Sequence, residues 1–475
     1  MKNNMNRWWW VICLTSGCWS CVTPHASLKT ENKFVPAFYK RQTDTINIAA
    51  INWRQYFNDH HLVALIDSAL SKNQELNITL QEIEIARNEV RARKGEYLPF
   101  VHTGADAGVE KDGKYTRLGA VDENLEAEPG KPFPEPFTDF RAGLYASWEL
   151  DVWKKLRNAK NAAASRYLAS VEGKNFLVTN LIAEIANSYY ELMALDNMLN
   201  IIQQNITLQS DAFQIVKQQK EAARVTQLAV NRFEAQVLNT KNLQYEIRQR
   251  IIEVENRLHF LTGSFPREIV RNPDLFNSIQ LDSLTAGIPA QLLANRPDIR
   301  QAEFELAAAK LDVKSARANF YPSFGIRAGA GFQSFNAAYL LKPESMVYNV
   351  AGDLMAPLIN RNAIRATYNS ANARQIQRIY EYERTILSAY LDVVNQLSSV
   401  NNFSQSYETK SREVQILTQS IGISNDLFSS ARADYLEVLL TQREALESKM
   451  ELIEIKLKQM NAKVNIYKAL GGGWR

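Results

Sequence analysis

Residues 185–216 read IANSYYELMALDNMLNIIQQNITLQSDAFQIV, and the spacing of their apolar side chains decides the fold. Ile185, Leu192, Leu199, Ile206 and Phe213 recur once per heptad, and Leu195, Ile202 and Val216 fall on a second seam offset by three. Two seams at that spacing form a coiled-coil stripe, each knob seated against a neighbouring helix. Outward from this stretch the helical pattern runs from Trp153 to about Ala222, with no proline and only Gly173 as a breaker. At a rise of 1.5 Å per residue such a helix is roughly 100 Å long, more than a compact domain can contain. The sequence therefore predicts an elongated protein.

The chain carries this unit twice. The shift that takes Ile185 to Val393 takes the rest of the seam to Val400, Tyr407, Val414 and Ile421, apolar or aromatic at every step. The same shift superimposes Ala223-Arg224-Val225-Thr226-Gln227-Leu228 on Ala431-Arg432-Ala433-Asp434-Tyr435-Leu436, and Leu156-Arg157 on Ile364-Arg365. Unrelated helices would not hold register over such a distance, so the pattern reads as an internal duplication. The 475 residues then make one architecture of two similar halves rather than three ordinary domains.

Composition narrows the function classes. A net charge of +4 is small for this length, and no basic cluster interleaved with aromatics points to nucleic acid. The cysteines are Cys13, Cys18 and Cys21, so nothing beyond them can form a disulfide framework or a thiolate metal site. Lys2 and Arg7 precede an apolar run from Trp8 to Leu14 and the small residues Thr15-Ser16-Gly17 before Cys18. This reads as an export signal, resembling a bacterial lipoprotein signal with Cys18 acylated. Thr15 stands where leucine is usual, and Cys21 and an ordinary secretory signal stay open as alternatives. No later stretch offers about 18 consecutive apolar residues, so any membrane crossing must be made by strands.

After a polar segment, Leu62, Leu65, Ile66, Ala69 and Leu70 predict a short helix, and a second runs from about Glu75 to Glu96 before Tyr97-Leu98-Pro99. The period then changes from 3.6 to 2. Val101, Thr103, Ala105, Ala107 and Val109 alternate with His102, Gly104, Asp106 and Gly108; Phe140, Ala142, Leu144, Ala146, Trp148, Leu150 and Val152 alternate with polar or small residues. Residues 113–137, rich in acid, glycine and proline, read as an exposed loop between them. The second half repeats the order. A helix from Pro297 to about Asn319 ends at Phe320-Tyr321-Pro322, strand positions Phe324, Ile326, Ala328, Ala330 and Phe332 follow, and Tyr348, Val350, Leu354, Ala356 and Leu358 form a fourth strand beyond a loop at 334–345. Strands of about ten residues with this alternation fit tilted transmembrane strands, lipid on one side and water on the other. Four strands leave two bare edges in hydrocarbon, so the pattern demands an oligomer, and three copies give twelve strands. A soluble sandwich edge with one wet face is the competing account.

The stretch Asn295-Arg296-Pro297-Asp298-Ile299-Arg300-Gln301-Ala302-Glu303 is similar to an R-R-P-D-I-R-x-A-E signature. With the ending Ala469-Leu470-Gly471-Gly472-Gly473-Trp474 and the junction Trp148-Glu149-Leu150-Asp151-Val152-Trp153, the chain resembles the TolC-type outer-membrane factor family. Within it the chain resembles the lipoprotein subgroup that serves resistance-nodulation-division efflux pumps. In physical terms Asn295 with Pro297 is a helix-start signal, and Gly471 to Gly473 a helix stop.

The resemblance implies an α+β membrane protein: a trimeric 12-stranded transmembrane β-barrel, four strands per chain, continued by a long periplasmic α-helical barrel. Residues 1–17 would be the signal peptide, 18–61 an N-terminal equatorial tail and 62–263 the first repeat, with β-hairpin 99–152 and helical hairpin 153–262. An equatorial linker at 264–295, a second repeat at 296–470 with β-hairpin 322–358 and helical hairpin 361–470, and a tail at 471–475 complete it. Its implied partners are two further copies of the chain, a periplasmic adaptor (membrane fusion) protein, an inner-membrane transporter of the resistance-nodulation-division type and outer-membrane lipid. No nucleic acid, cofactor or metal is implied. In the family the turns at 223–228 and 431–436 form periplasmic tips. Asp434 matches the tip aspartate, with Tyr435 beside it, and Thr226 the hydroxyl residue of the first repeat. Three copies of Asp434 would ring a constriction with negative charge. Equally, Asp434 with Glu437 resembles a capping box and Thr226 is a good N-cap. Arg224 and Arg432 either contact the adaptor or stand as solvated arginines. His25, His60, His61, His102 and His259 show no ligand spacing beyond an adjacent pair, and no nucleophile motif or phosphate loop is evident, so no enzyme is expected. The reading is an exit duct for small molecules, set against a periplasmic coiled-coil adaptor or structural protein without a channel of its own.

Overall fold

The computed structural model describes residues 29–39, 47–279, 286–359, 361–430 and 432–475. Cys18 and the signal segment 1–17 lie outside the described residues. Helices α1 (His60–Lys72) and α2 (Gln74–Tyr97) lead into strand β1 (Phe100–Glu110), followed by β2 (Phe137–Leu150), α3 (Lys155–Glu221) and α4 (Gln227–Leu261). Then come α5 (Pro297–Ala318), β3 (Ser323–Ser334), β4 (Met346–Met355), α6 (Asn362–Ser429) and α7 (Tyr435–Ala469). Among the described residues no helix is long and apolar enough to cross a membrane.

Two compact units are distinguishable, one containing Glu84–Leu168 and Phe304–Tyr380, the other Glu31–Ile83, Ala169–Glu303 and Glu381–Arg475. The first holds a four-stranded antiparallel sheet in the order β1-β2-β3-β4. Its register pairs Val101 with Ala146, Thr103 with Leu144, Leu144 with Ala330, Trp148 with Ile326, and Phe324 with Leu354. Directly opposite residues share a face, so the four apolar sets merge into one apolar surface. The other face carries His102, Arg141, Tyr145, Arg327, Asn349 and Asp353. Glycines beneath these side chains let them lie against the sheet: a Cβ on Gly325 would stand 2.0 Å from Asp353 Oδ1, and one on Gly329 2.6 Å from Asn349 Oδ1. Strands β1 and β4 are the two edges, with no further strand beside either among the described residues.

Three local expectations need correction. β2 stops at Leu150 rather than Val152, because the next residue, Asp151, is taken up by a helix end. β4 stops at Met355, short of Ala356 and Leu358, since Pro357 has no N–H for a ladder. The loop at 113–137 contains a helix, Arg117–Asn124, capped by Thr116, and a small strand pair, Glu126–Glu128 with Lys131–Pro132.

The junctions between helices and strands are tied by indoles. Trp148 Nε1 donates to the Tyr97 carbonyl at 3.1 Å, and Trp153 Nε1 to the Pro322 carbonyl at 2.7 Å while its ring stacks on Tyr321. Asp151, its side chain 1% exposed, accepts the N–H of Leu156 at 3.0 Å and of Arg157 at 2.9 Å, and the Arg157 Nε at 3.2 Å. The two backbone N–H groups are orphan donors of the first turn of α3, where the helix dipole also favours an anion. Asp151→Ala should therefore cost about 2 kcal/mol, seen as a lower midpoint of chemical unfolding in detergent, with Asp151→Asn intermediate.

In the helical unit the heptad seam of α3 is the core. Ile185, Leu192, Leu195 and Ile202 are buried with Leu62 and Ile66 of α1, Ile247 and Val254 of α4, and Ile453, Met460 and Val464 of α7. The matching seam of α6 is covered much as that of α3: Val393 is buried like Ile185, Tyr407, Val414 and Ile421 are half-buried like Leu199, Ile206 and Phe213, and only Val400 differs, half-buried where Leu192 is buried. Residues 264–279 lie across this core through Arg271, which forks to Asp196 at 2.5 and 3.0 Å and reaches Glu255 at 2.7 Å.

Candidate functional site

The two turns between long helices are built alike. After α3, Ala223 N–H donates to Lys220 O at 2.9 Å and Arg224 N–H to Gln219 O at 2.8 Å, with Ala223 at φ 54°. This left-handed closure satisfies the last carbonyls of the helix, normally a glycine's task. After α6, Arg432 N–H donates to Leu427 O at 2.9 Å, the same bond at the shifted position.

The residues that open the returning helices differ. Thr226, extended at φ −85°, accepts Ala229 N–H on its hydroxyl at 3.4 Å and so caps α4. Asp434 has nearly the same backbone, φ −83° and ψ 153°, yet its side chain makes no cap bond. Its carbonyl accepts Glu437 N–H at 3.1 Å, so the capping box expected from Asp434 and Glu437 does not form. The extended backbone is enough to start the helix, and the exposed carboxylate stays in water.

The turns meet. Val216, Ala229, Val230 and Phe233 form a small buried cluster, against which Val225 of the first turn and Phe428, Tyr435 and Leu439 of the second hairpin pack. Tyr435 is thus a packing residue that locks the turns together. Arg224, Arg432 and Asp434 are exposed, and none makes an ion pair among the described residues. The tip end of the unit therefore presents fixed backbone with three uncommitted charges, suited to charge recognition or ion selection.

A second cluster surrounds Arg296. Its side chain, 8% exposed, forks onto Asp298 at 3.0 and 2.7 Å and reaches Asp392 at 3.3 Å and the Ala469 carbonyl at 3.1 Å. Burial acts to lower the guanidinium pKa, but bonding to Asp298 and the charges of Asp298 and Asp392 outweigh it and hold the pKa above the usual arginine value. Asn295 does not cap α5 as its sequence suggested: it ends a short helix, Leu292–Asn295, and its carbonyl accepts Trp474 Nε1 at 3.1 Å. The α7 stop is as expected, Gly471 N–H donating to Lys468 O and Gly472 N–H to Tyr467 O. The signature stretch is thus a dock for the end of α7, and an arginine placed two residues before an acid, across Pro297, was the signal that capping logic passed over.

Comparison with known proteins bears on what this geometry serves. A family model described as outer membrane efflux protein matches residues 65–264 and 288–472. The chain is 28% identical over 427 residues to the solvent efflux pump outer membrane protein SrpC of Pseudomonas putida, covering 89% of this chain and 87% of that protein. It is 26% identical to the probable outer membrane lipoprotein SilC of Salmonella typhimurium, covering 94% and 91% of the two. Among solved structures, the open state of the MtrE outer membrane channel of Neisseria gonorrhoeae aligns with a TM-score of 0.83 at 23% identity, over 96% of this chain and 99% of that one.

Proposed function

The chain belongs to the outer membrane efflux protein family, and from that membership we propose that it is the passive exit duct of a tripartite pump, closing its channel as a homotrimer. The observation that carries the reading is the sheet, apolar over one whole face, polar over the other, and bare at both edges. Closure by rotation joins the β1 edge of one copy to the β4 edge of the next and removes all edges. Three copies put the apolar face to lipid and His102, Arg141, Tyr145 and Asp353 around a wet lumen. The half-covered stretches of both the α3 and the α6 seams support the same closure among the helices. In this reading the two halves are structural repeats with the boundaries given above, Cys18 carries the lipid anchor, and the protein spans the outer membrane.

The turns are the periplasmic end, where Arg224 and Arg432 meet the adaptor and an inner-membrane transporter supplies the cargo. Thr226, Tyr435 and Asp434 frame the aperture: Thr226 and Tyr435 hold its shape, and Asp434, free of capping duty, supplies its charge. Adaptor binding opens the aperture by favouring the open packing of the turns.

Two measurements test this. Light scattering with low-resolution imaging of the detergent-solubilised mature protein should give a hollow trimer; a monomer overturns the duct. In planar bilayers, Asp434→Asn should move the reversal potential across a salt gradient toward zero, as cation preference is lost, without changing thermal stability. An unchanged reversal potential removes Asp434 from the aperture.

A further inference from the structure

We propose that the helix ends next to the sheet form a basic collar that binds the head groups of anionic phospholipids in the adjoining leaflet. The proposal rests on the reading of the sheet as membrane-spanning and adds the class of lipid held at one of its ends.

Charge in this unit is uneven. Residues 84–98, 151–168, 304–322 and 356–380 enter and leave the strands, and in them sixteen Lys and Arg stand against six Asp and Glu. That excess of ten is larger than the +4 of the whole chain, so everything outside the collar is acidic on balance. Residues 110–136, at the far end of the sheet, hold four cations against seven acids. The two ends of the sheet therefore carry opposite charge.

Within the collar every acid is already engaged. Glu84 pairs with Arg87, Glu89 and Glu96 with Arg93, Asp151 with Arg157, Glu305 with Arg378 and Asp312 with Arg166. Arg91, Lys94, Lys154, Lys314, Arg317 and Arg365 are exposed and make no ion pair among the described residues. Each lies at most ten residues from a strand end. At a rise of about 1.5 Å per residue, Lys94, Lys154 and Arg317 stand within roughly 9 Å of the sheet, and Arg91, Lys314 and Arg365 within roughly 15 Å. Cations at that spacing repel one another, and no carboxylate of the collar is left to relieve them.

What surrounds these cations identifies the counter-ion. Leu98, Val152, Trp153, Leu358 and Ile359 are exposed at the same level, and Trp153 stacks on Tyr321. Arg91, Lys94 and Leu98 follow at steps of three and four along one face of the end of α2, and Lys314, Arg317 and Tyr321 repeat those steps at the end of α5. An apolar or aromatic anchor next to the sheet, with cations one and two turns away, is the arrangement of a membrane interface. The anchors enter the lipid boundary and the long basic side chains reach the phosphates. Acyl chains then continue over the apolar face of the sheet, and the outer row of cations still acts on the head groups within about one Debye length. A soluble polyanion would satisfy the charges but leave the apolar residues in water.

Bromine on an acyl chain quenches only indoles close to the lipid, and Trp148 and Trp153 are the two beside the sheet. The full chain in detergent, titrated with dibrominated phosphatidylglycerol and separately with dibrominated phosphatidylcholine, should bind the anionic lipid about fivefold more tightly. In about 0.5 M salt the preference should fall below about twofold. Lys94→Gln, Lys154→Gln and Arg317→Gln together should also abolish it, while Lys111→Gln with Lys114→Gln at the far end leaves it unchanged. Should the triple variant fail to fold, the salt dependence of the parent decides. Equal quenching by the two lipids overturns the collar and leaves a membrane-spanning sheet; if the triple variant then changes ion selectivity, its cations line the lumen instead. A preference that survives both salt and the triple variant overturns the collar too. Quenching by neither lipid overturns the membrane reading itself.

Discussion

Replacing Arg296 with methionine should destabilise the helical unit by about 3 kcal/mol. The side chain is nearly enclosed, and it alone joins Asp298, Asp392 and the carbonyl of Ala469. Methionine fills much of the volume but leaves Asp298, 16% exposed, without its counter-ion. Asp392, at 48% exposure, can turn to water, which keeps the cost near the low end for a broken buried pair. Arg296→Lys should recover only part of the loss, since an ammonium cannot fork onto a carboxylate and reach a carbonyl at once. The midpoint of chemical unfolding in detergent measures both, and equal midpoints for the parent and the methionine variant would remove Arg296 from the core.

Gly471→Ala should be of similar size, also about 3 kcal/mol. Gly471 sits at φ 88°, and an added Cβ would lie 2.6 Å from the Asn295 carbonyl oxygen and 3.0 Å from the Arg296 nitrogen. Both neighbours are backbone, so no side-chain rotation relieves the collision. Gly422 is the control: it lies inside α6 with nothing within 4 Å of an added Cβ, and Gly422→Ala should gain up to about 1 kcal/mol. If both alanines shift the midpoint alike, the end of α7 is not docked as described.

These two positions also show where sequence reasoning reached its limit. Heptad spacing located α3 because burial of a long helix must repeat with the helix, and Ile185, Leu192, Leu195 and Ile202 are buried accordingly. Alternation located the strands, and the register confirms that the odd positions of β1 and the even positions of β2, β3 and β4 share one face. Periodic signals of this kind come from many residues at once. Capping and ion pairing depend on single rotamers. Asn295, Thr226 and Asp434 are all good N-cap residue types, yet of these only Thr226 puts its side-chain oxygen to that use. Asp151 is the converse case, a carboxylate that caps α3 from several residues upstream, outside the usual cap spacing. The helix at Arg117–Asn124 was missed because eight residues are too few to show a period.

The glycines under the polar face of the sheet bear on how a solute would travel. Tyr145 lies across the strands on either side of it, so close that a Cβ on Gly104 or Gly329 would come within 3.2 or 3.3 Å of its ring, and Asp353 lies over Gly325. Side chains laid flat in this way give a wall with hydrogen-bonding groups but few niches deep enough to hold a molecule. In the proposed duct it would act, in chromatographic terms, as a wetted column with low retention, over which cargoes of different chemistry would elute at nearly the same rate, leaving selection to whatever loads them.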